Sequence, residues 1–87
     1  MHKLQLHIMN KKTYDSFDKF WAAYPKKELK NKAKKIWVYY ELEPYLPEML
    51  AFIGKAKNTN RWIQGYIKKP HNFLEGGGWR ESLNRLG

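Results

Sequence analysis

The chain has 87 residues and carries 17 Lys and Arg against 8 Asp and Glu, which gives a formal net charge of +9. This length fits one domain with a thin hydrophobic core, and a hydrophobic content of 43% excludes a disordered chain. The lack of cysteine excludes disulfides, thiolate zinc sites and cysteine nucleophiles. No apolar run approaches the roughly 18 residues of a membrane span, so we expect no membrane partner.

Residues 1–12 are predicted to form a weakly ordered basic arm, and residues 13–87 a single helical domain. The arm turns polar and basic after three alternating apolar residues, which are Leu4, Leu6 and Ile8. A short strand is an alternative for this segment, and so is upstream sequence ahead of a second possible start at Met9.

The first two predicted helices cover Thr13–Tyr24 and about Lys27 to Glu41. Thr13 is suited to cap the first helix, and Pro25 should end it, because helical geometry is disfavoured at the residue before a proline. Spacings of three and four place the apolar residues of each helix on one face. These residues are Tyr14, Phe17, Phe20, Trp21 and Tyr24 in the first helix, and Leu29, Ala33, Ile36, Trp37 and Tyr40 in the second.

Two further helices and a packed tail complete the predicted domain. Pro47 is suited to open the third helix, and Arg61–Lys68 forms the fourth, which Pro70 closes. The apolar face of the third helix consists of Met49, Leu50, Ile53 and Ala56. The tail residues expected to pack on the bundle, around a flexible turn at Gly76–Gly78, are Phe73, Leu74 and Trp79. Strand signals are scarce, so the predicted fold is all-α, a small bundle of four to five short helices.

Signatures of catalysis and of metal binding are missing from the sequence. The histidines His2, His7 and His71 lack the spacing of a helical metal site, and His71, after Pro70, is expected in a surface turn. Asp15 and Asp18 could share a cation, but their place near a helix start explains them more simply. The glycine run has neither the lysine nor the strand of a phosphate-binding loop. We therefore expect no catalytic residue, no metal site and no cofactor.

The strongest signal is a run of six lysines within ten residues: Lys26, Lys27, Lys30, Lys32, Lys34 and Lys35. Lysine is a point charge that suits phosphates without reading bases. Only Glu28 offers a counterion within the run, so we expect an external anion to compensate the repulsion; the alternative is a solvated outer helix face. The residues expected to contact phosphates are Lys26, Lys27, Lys30, Lys34, Lys57 and Arg61.

Aromatic side chains offer a second route to nucleic acid, because unpaired bases stack on them. Most aromatics here lie on the apolar stripes and are expected in the core. The candidates left for the surface are Tyr39, Tyr45, Trp62 and Tyr66. Trp62 follows Arg61 and lies close to Lys57, which makes it the preferred stacking candidate.

Residues 17–27 read FDKFWAAYPKK, and this stretch resembles a block of temperate-phage replication proteins and related prophage helix-turn-helix proteins. The pattern is F-x-x-F-W-x-x-Y-P-x-K, followed by lysines and A-x-x-x-W, which Ala33 and Trp37 supply. Its later, more loosely spaced positions are matched by Trp62, Pro70, Phe73, Leu74 and Trp79. The resemblance covers about residues 17–81.

The resemblance implies work at a replication fork, in contact with DNA, with a helicase or its loader, or with both. In that family the block usually follows a winged-helix origin-binding part, whereas about a dozen residues precede it here. Origin-specific recognition is therefore not expected. The tail also departs from the family, since Arg80 stands where acidic residues are usual.

We predict a small, non-enzymatic DNA-binding accessory protein of phage or mobile-element type, linked to replication and located in the cytoplasm of a bacterial host. It would bind the phosphate backbone of single- or double-stranded DNA with little sequence preference, because no helix dense in Arg, Asn or Gln is visible. The alternative is a protein-interaction module or inhibitor that docks on a replicative helicase, a helicase loader or another host or phage protein through exposed aromatics.

Overall fold

A computed structural model of the chain describes residues 15–83. Within that range the backbone forms helices, 3-10 turns and connecting segments, without a strand, which confirms the all-α fold class. The α-helices are α1 (residues 15–23), α2 (Lys30–Tyr39), α3 (Leu46–Ala56), α4 (Asn60–Ile63) and α5 (Pro70–Glu75), with 3-10 turns at Glu43–Tyr45 and Gly78–Arg80. The predicted arm, the predicted cap at Thr13 and Tyr14, which is predicted on the apolar face of the first helix, lie outside the described residues.

The core is built mainly from aromatic rings. Phe17, Phe20 and Tyr24 project from one face of α1 and are fully buried. Phe20 stacks on Trp37 of α2, with ring centroids 5.5 Å apart, and on Phe73 of α5, at 6.0 Å. The first helix therefore lies against both α2 and α5, and these three residues share one face of it, as their spacing predicts.

A buried hydrogen bond ties α1 to α2. The indole Nε1 of Trp37 donates to the hydroxyl oxygen of Ser16 at 3.1 Å. A buried indole N–H usually needs such a partner. Trp37 thus contributes both ring packing and a specific register between the two helices.

The second helix is shorter than the sequence predicts, since it begins at Lys30 and ends at Tyr39. Leu29 adopts a left-handed backbone conformation with φ of 53°, which breaks the helical path. At the other end, Glu41 has φ of 50°, and the amide of Leu42 donates to the carbonyl of Trp37 at 3.0 Å. This is a Schellman-type ending with glutamate where glycine is usual.

The apolar stripe predicted for α2 is correct at its centre and wrong at its ends. Ala33 and Trp37 are fully buried, whereas Leu29 and Tyr40 are 52% and 49% exposed. Both outliers lie just outside the regular helix, so the periodicity of the helix no longer sets their direction.

The third helix begins near Pro47 as predicted, but its predicted apolar face is wrong at one position: Phe52 is buried, whereas Leu50 is only partly buried, because the buried face is centred one residue away from Leu50. Pro47 lies in its first turn, where the missing amide hydrogen leaves no bond unmade. Its buried face consists of Met49, Phe52, Ile53 and Ala56. This face supplies the apolar layer on which the 3-10 turn Gly78–Arg80 packs.

The predicted fourth helix, Arg61–Lys68, is wrong in extent, because α4 ends at Ile63. Gly65 has φ of 94°, and the amide of Tyr66 donates to the carbonyl of Arg61 at 2.8 Å. Glycine supplies this left-handed ending without steric cost. A separate helix, α5, follows, and Pro70 opens it rather than closing the one before.

The tail packs on the core as predicted. Phe73, Leu74 and Trp79 are 2%, 2% and 7% exposed. The expectation for His71 is wrong, because α5 carries its side chain inward to 8% exposure, and its Nδ1 has no hydrogen-bond partner among the described residues. The physical reason is that Pro70 begins a helix here, so that His71 lies within its first turn instead of in a surface turn.

Candidate nucleic-acid interface

Three lysine side chains lie along the aromatic side of α1. The ammonium groups of Lys27 and Lys30 each lie 5.8 Å from the ring centroid of Trp21, and that of Lys34 lies 5.9 Å from the ring of Phe17. Since the Phe17 and Trp21 rings are themselves 5.8 Å apart, the three charges occupy one continuous strip. We call Lys27, Lys30 and Lys34 the lysine strip. Cation–π attraction favours this placement.

Lys27 also binds the end of α1. Its ammonium group donates to the backbone carbonyl of Trp21 at 2.6 Å, to that of Ala22 at 3.4 Å, and to that of Tyr24. These carbonyl groups lie at the end of α1, where a helix leaves its last carbonyls without helical partners. A cation at this end also interacts favourably with the helix dipole. Lys27 therefore stabilises the end of α1.

Lys57 lies close enough to Lys27 for their charges to interact. Partial burial, and then the charge of Lys57, lower the pKa of Lys27 below its usual range. The structure thus brings a lysine that follows α3 within range of electrostatic interaction with the lysine strip. Separation along the sequence does not predict this juxtaposition.

Lys26 lies beside an acid of the same loop. Its Nζ is 3.9 Å from a carboxylate oxygen of Glu28, with both side chains partly exposed. An exposed pair of this kind contributes little to stability and is readily exchanged for another partner. Lys26 carries less uncompensated charge than its position in the lysine run implies.

Arg61 lines a pocket at the side of α4. Its guanidinium lies over the ring of Tyr66, with 5.4 Å from Cζ to the ring centroid. The pocket is also lined by Lys68, whose Nζ lies 3.8 Å from a carboxylate oxygen of Glu81. Arg61 is exposed, so its guanidinium remains accessible to solvent.

The structure does not support direct base stacking by Trp62. The side chain is 8% exposed, and its ring packs edge-on against Tyr24 at 5.7 Å and against Phe52 at 6.0 Å. Since only 8% of the side chain is exposed, the ring offers no free face to a base. The prediction that Trp62 lies at the surface is therefore wrong. Trp62 lies on the inner face of the short helix α4, whose exposed residues include Arg61 and Ile63.

Sequence reasoning undervalues Tyr39. This side chain is 77% exposed, the largest value among the exposed large hydrophobic residues of the described chain. It lines a shallow, mostly apolar groove on α2 together with Lys34, Lys35 and Val38. The signal in the sequence is its position four residues after Lys35, which places the two side chains on one helical face.

Residues 15–83 contain neither a cluster of metal-ligating side chains nor a helix suited to span a membrane. Within them, no group of three or more His, Asp or Glu side chains is placed to hold a metal ion. None of the helices in this range is long and apolar enough to cross a membrane.

The model of one protein family, described as the C-terminal domain of the Legionella vir region protein LvrA, matches residues 12–77. The chain belongs to this family. The match to the LvrA C-terminal domain includes all five α-helices of the described range, the lysine strip and Lys57. No curated protein and no solved structure matches the chain.

Proposed function

We propose that this LvrA C-terminal-type domain is a small DNA-binding accessory protein linked to DNA replication. It binds the phosphate backbone and shows little sequence preference. The observation that carries the proposal is the lysine strip, in which three ammonium groups follow the two adjacent rings of Phe17 and Trp21.

The charge balance supports a polyanionic ligand. A formal net charge of +9 on 87 residues generates a strong positive field that attracts phosphates and raises association rates. Lys57, whose charge acts on Lys27, adds a further charge near the strip, at the cost of mutual repulsion. A bound phosphate backbone would relieve that repulsion, because each phosphate contact neutralises a cation and releases a counterion.

The contact set proposed for phosphate contains Lys26, Lys27, Lys30, Lys34, Lys57 and Arg61. Lys30 and Lys34 are its centre, because they extend the lysine strip along α2. Lysines of this kind contact phosphate without reading base edges, so affinity should depend weakly on sequence.

The link to replication rests on the resemblance of residues 17–27 and later positions to the phage replication block. The core positions of that block, Phe17, Phe20, Tyr24, Ala33 and Trp37, are all buried. The buried residues of the block therefore form the interface between α1 and α2. The lysines that follow the block lie at the edge of this interface.

Fluorescence anisotropy with labelled single- and double-stranded DNA across a salt series tests the proposal. We expect binding at about 50 mM salt and a steep loss of affinity as salt rises, with a slope set by the number of phosphates contacted. Absence of binding at that salt concentration, or affinity that is independent of salt, would reject DNA binding.

A second candidate function is docking on a protein partner such as a replicative helicase or its loader. Ile63 and Tyr66 favour it, because they flank the Gly65 turn and are 68% and 63% exposed. Exposed apolar and aromatic residues of this kind commonly anchor protein interfaces.

Pull-down from nuclease-treated host lysate separates the two functions. A protein retained by the wild type and lost from an Ile63→Asp variant supports docking at this turn. Loss of every retained protein after nuclease treatment supports indirect association through DNA. The matched control is Val38→Asp, which places the same charge on a different exposed apolar position.

A further inference from the structure

The groove on α2 combines charge with an open aromatic ring. Lys34, Lys35, Val38 and Tyr39 line it, and its surface is mostly apolar. Tyr39 contacts Tyr40 at 4.7 Å between ring centroids, with the ring planes at 89°. This perpendicular contact restricts the Tyr39 ring, while 77% of the side chain remains exposed. An aromatic ring is therefore held at the surface beside two lysines.

The groove continues into the lysine strip. Residues four apart lie above one another on a helix, so Lys30 and Lys34 lead to Val38, and Lys35 leads to Tyr39. From Lys30 to Tyr39 the helix rises by about 14 Å. One face of α2 thus presents cations over most of its length and an aromatic platform at its end.

We infer that this face of α2 binds single-stranded DNA, with a base stacked on Tyr39 and the adjoining backbone phosphates along Lys35, Lys34 and Lys30. The inference rests on the proposed function and names its substrate class and its stacking residue. Phosphate-tracking cations beside an exposed aromatic are the two parts of sequence-tolerant single-strand binding.

The combination favours an unpaired strand over the other polyanions. In a duplex the base faces are stacked on one another, so Tyr39 would gain no contact from them. An acidic peptide would satisfy the lysines but offers no planar ring for Tyr39. A single strand with accessible bases uses both the charge and the ring.

Stacking is separated from charge by comparing two labelled probes with the same number of phosphates. One probe is an oligothymidylate, and the other is an abasic oligonucleotide of equal length. We expect the wild type to bind the first about tenfold more tightly than the second. The Tyr39→Ala variant should lose this preference while it keeps its affinity for the abasic probe, and Tyr39→Phe should retain the preference.

Tyr66→Ala is the matched control, because Tyr66 is another exposed tyrosine beside a cation, Arg61. Its preference for the thymidylate probe should equal that of the wild type. Equal affinity of the wild type for both probes, loss of preference in Tyr66→Ala instead of Tyr39→Ala, or tighter binding of duplex or polyglutamate than of the single strand would overturn the inference. If the wild type binds both probes equally, or if Tyr66→Ala loses the preference instead of Tyr39→Ala, the protein still binds DNA and only the stacking on Tyr39 is rejected. Failure of the wild type to bind any probe rejects the proposed function itself.

Discussion

The ammonium group of Lys27 lies 2.6 Å from the backbone carbonyl oxygen of Trp21, six residues earlier in the chain. Lys27 itself lies in the connection between α1 and α2, outside regular secondary structure. One lysine of the basic run thus closes the end of the preceding helix. Within the run, Lys27 stabilises the fold, whereas Lys30 and Lys34 are the residues that the proposed function assigns to phosphate.

We expect Lys27→Met to destabilise the domain by about 1 kcal/mol, because the terminal carbonyls of α1 lose a charged donor. In a domain of this size that corresponds to a fall in Tm of about 5 °C. Thermal unfolding followed by circular dichroism measures the change. Lys35→Met is the control, since it removes the same charge from an exposed position on α2. Equal Tm values for the two variants would contradict the capping role.

Charge reversal at the centre of the lysine strip should weaken DNA binding strongly and leave the fold intact. Lys30→Glu combined with Lys34→Glu replaces attraction for two phosphates by repulsion. The dependence of log affinity on log salt should become shallower by about 0.7 for each phosphate of a single strand that the protein no longer neutralises. Anisotropy measures the affinity, and circular dichroism checks the helix content.

The control for that variant is Lys55→Glu combined with Lys69→Glu, which changes the net charge equally at exposed positions elsewhere in the fold. It should bind DNA with a modest loss of affinity from the weaker overall field. If both double variants lose binding alike, net charge rather than the strip determines affinity.

The core residues of the first helix could be predicted from the spacing of apolar residues, whereas the ends of the short helices could not. Phe17, Phe20 and Tyr24 share a face at helical spacing, and all three are buried as expected. The predictions for Trp62 and His71 are wrong because both depend on where short helices begin and end. Gly65 and Pro70 determine those ends, through a left-handed turn and through a helix start, and neither residue reveals from sequence alone which of its several roles it plays.

The candidate site, like the core, is predictable from the sequence only in part. The sequence places the lysines in a run, but only the folded structure shows that Lys27 caps α1 and that the charge of Lys57 acts on it. The exposure of Tyr39 follows from its place off the apolar stripe of α2, as the sequence predicts, whereas the groove that it lines with Lys34, Lys35 and Val38 is seen only in the structure. Periodicity encodes neither the capping by Lys27 nor the effect of Lys57.

Tyr24 gives the stability of the domain a dependence on alkaline pH. Its hydroxyl donates to the carbonyl of Lys68 at 2.7 Å, and burial raises its pKa above the usual range. The folded state therefore holds this proton more tightly than the unfolded chain, in which tyrosine titrates near pH 10. The contribution to stability is complete below about pH 10 and is lost as the pH rises further.

Tyr24→Phe should therefore lower the free energy of unfolding by about 1 kcal/mol at neutral pH, because the hydrogen bond is lost. The difference from the wild type should narrow above about pH 10, because ionisation of this hydroxyl stabilises the unfolded chain of the wild type alone. Urea unfolding followed by tryptophan fluorescence measures both. Tyr66→Phe removes an exposed hydroxyl and should leave the neutral-pH stability unchanged. If the difference in unfolding free energy between the wild type and Tyr24→Phe widens as the pH rises, the pKa of Tyr24 is not raised in the folded state.

Substitution by alanine should change the stability of the domain in opposite directions at Gly78 and at Gly54. A Cβ on Gly78 would lie 2.5 Å from Cδ1 and 3.0 Å from Cε1 of Phe73, whereas a Cβ on Gly54 would have no atom within 4 Å. Gly78→Ala should therefore destabilise the domain by about 1–3 kcal/mol, because the buried Phe73 ring has to move. Gly54→Ala, in an exposed position of α3, should stabilise it by about 0.5–1 kcal/mol through the higher helix propensity of alanine. Urea unfolding of the two variants checks the pair, and a Gly78→Ala protein as stable as the wild type would mean that the 3-10 turn does not press on Phe73.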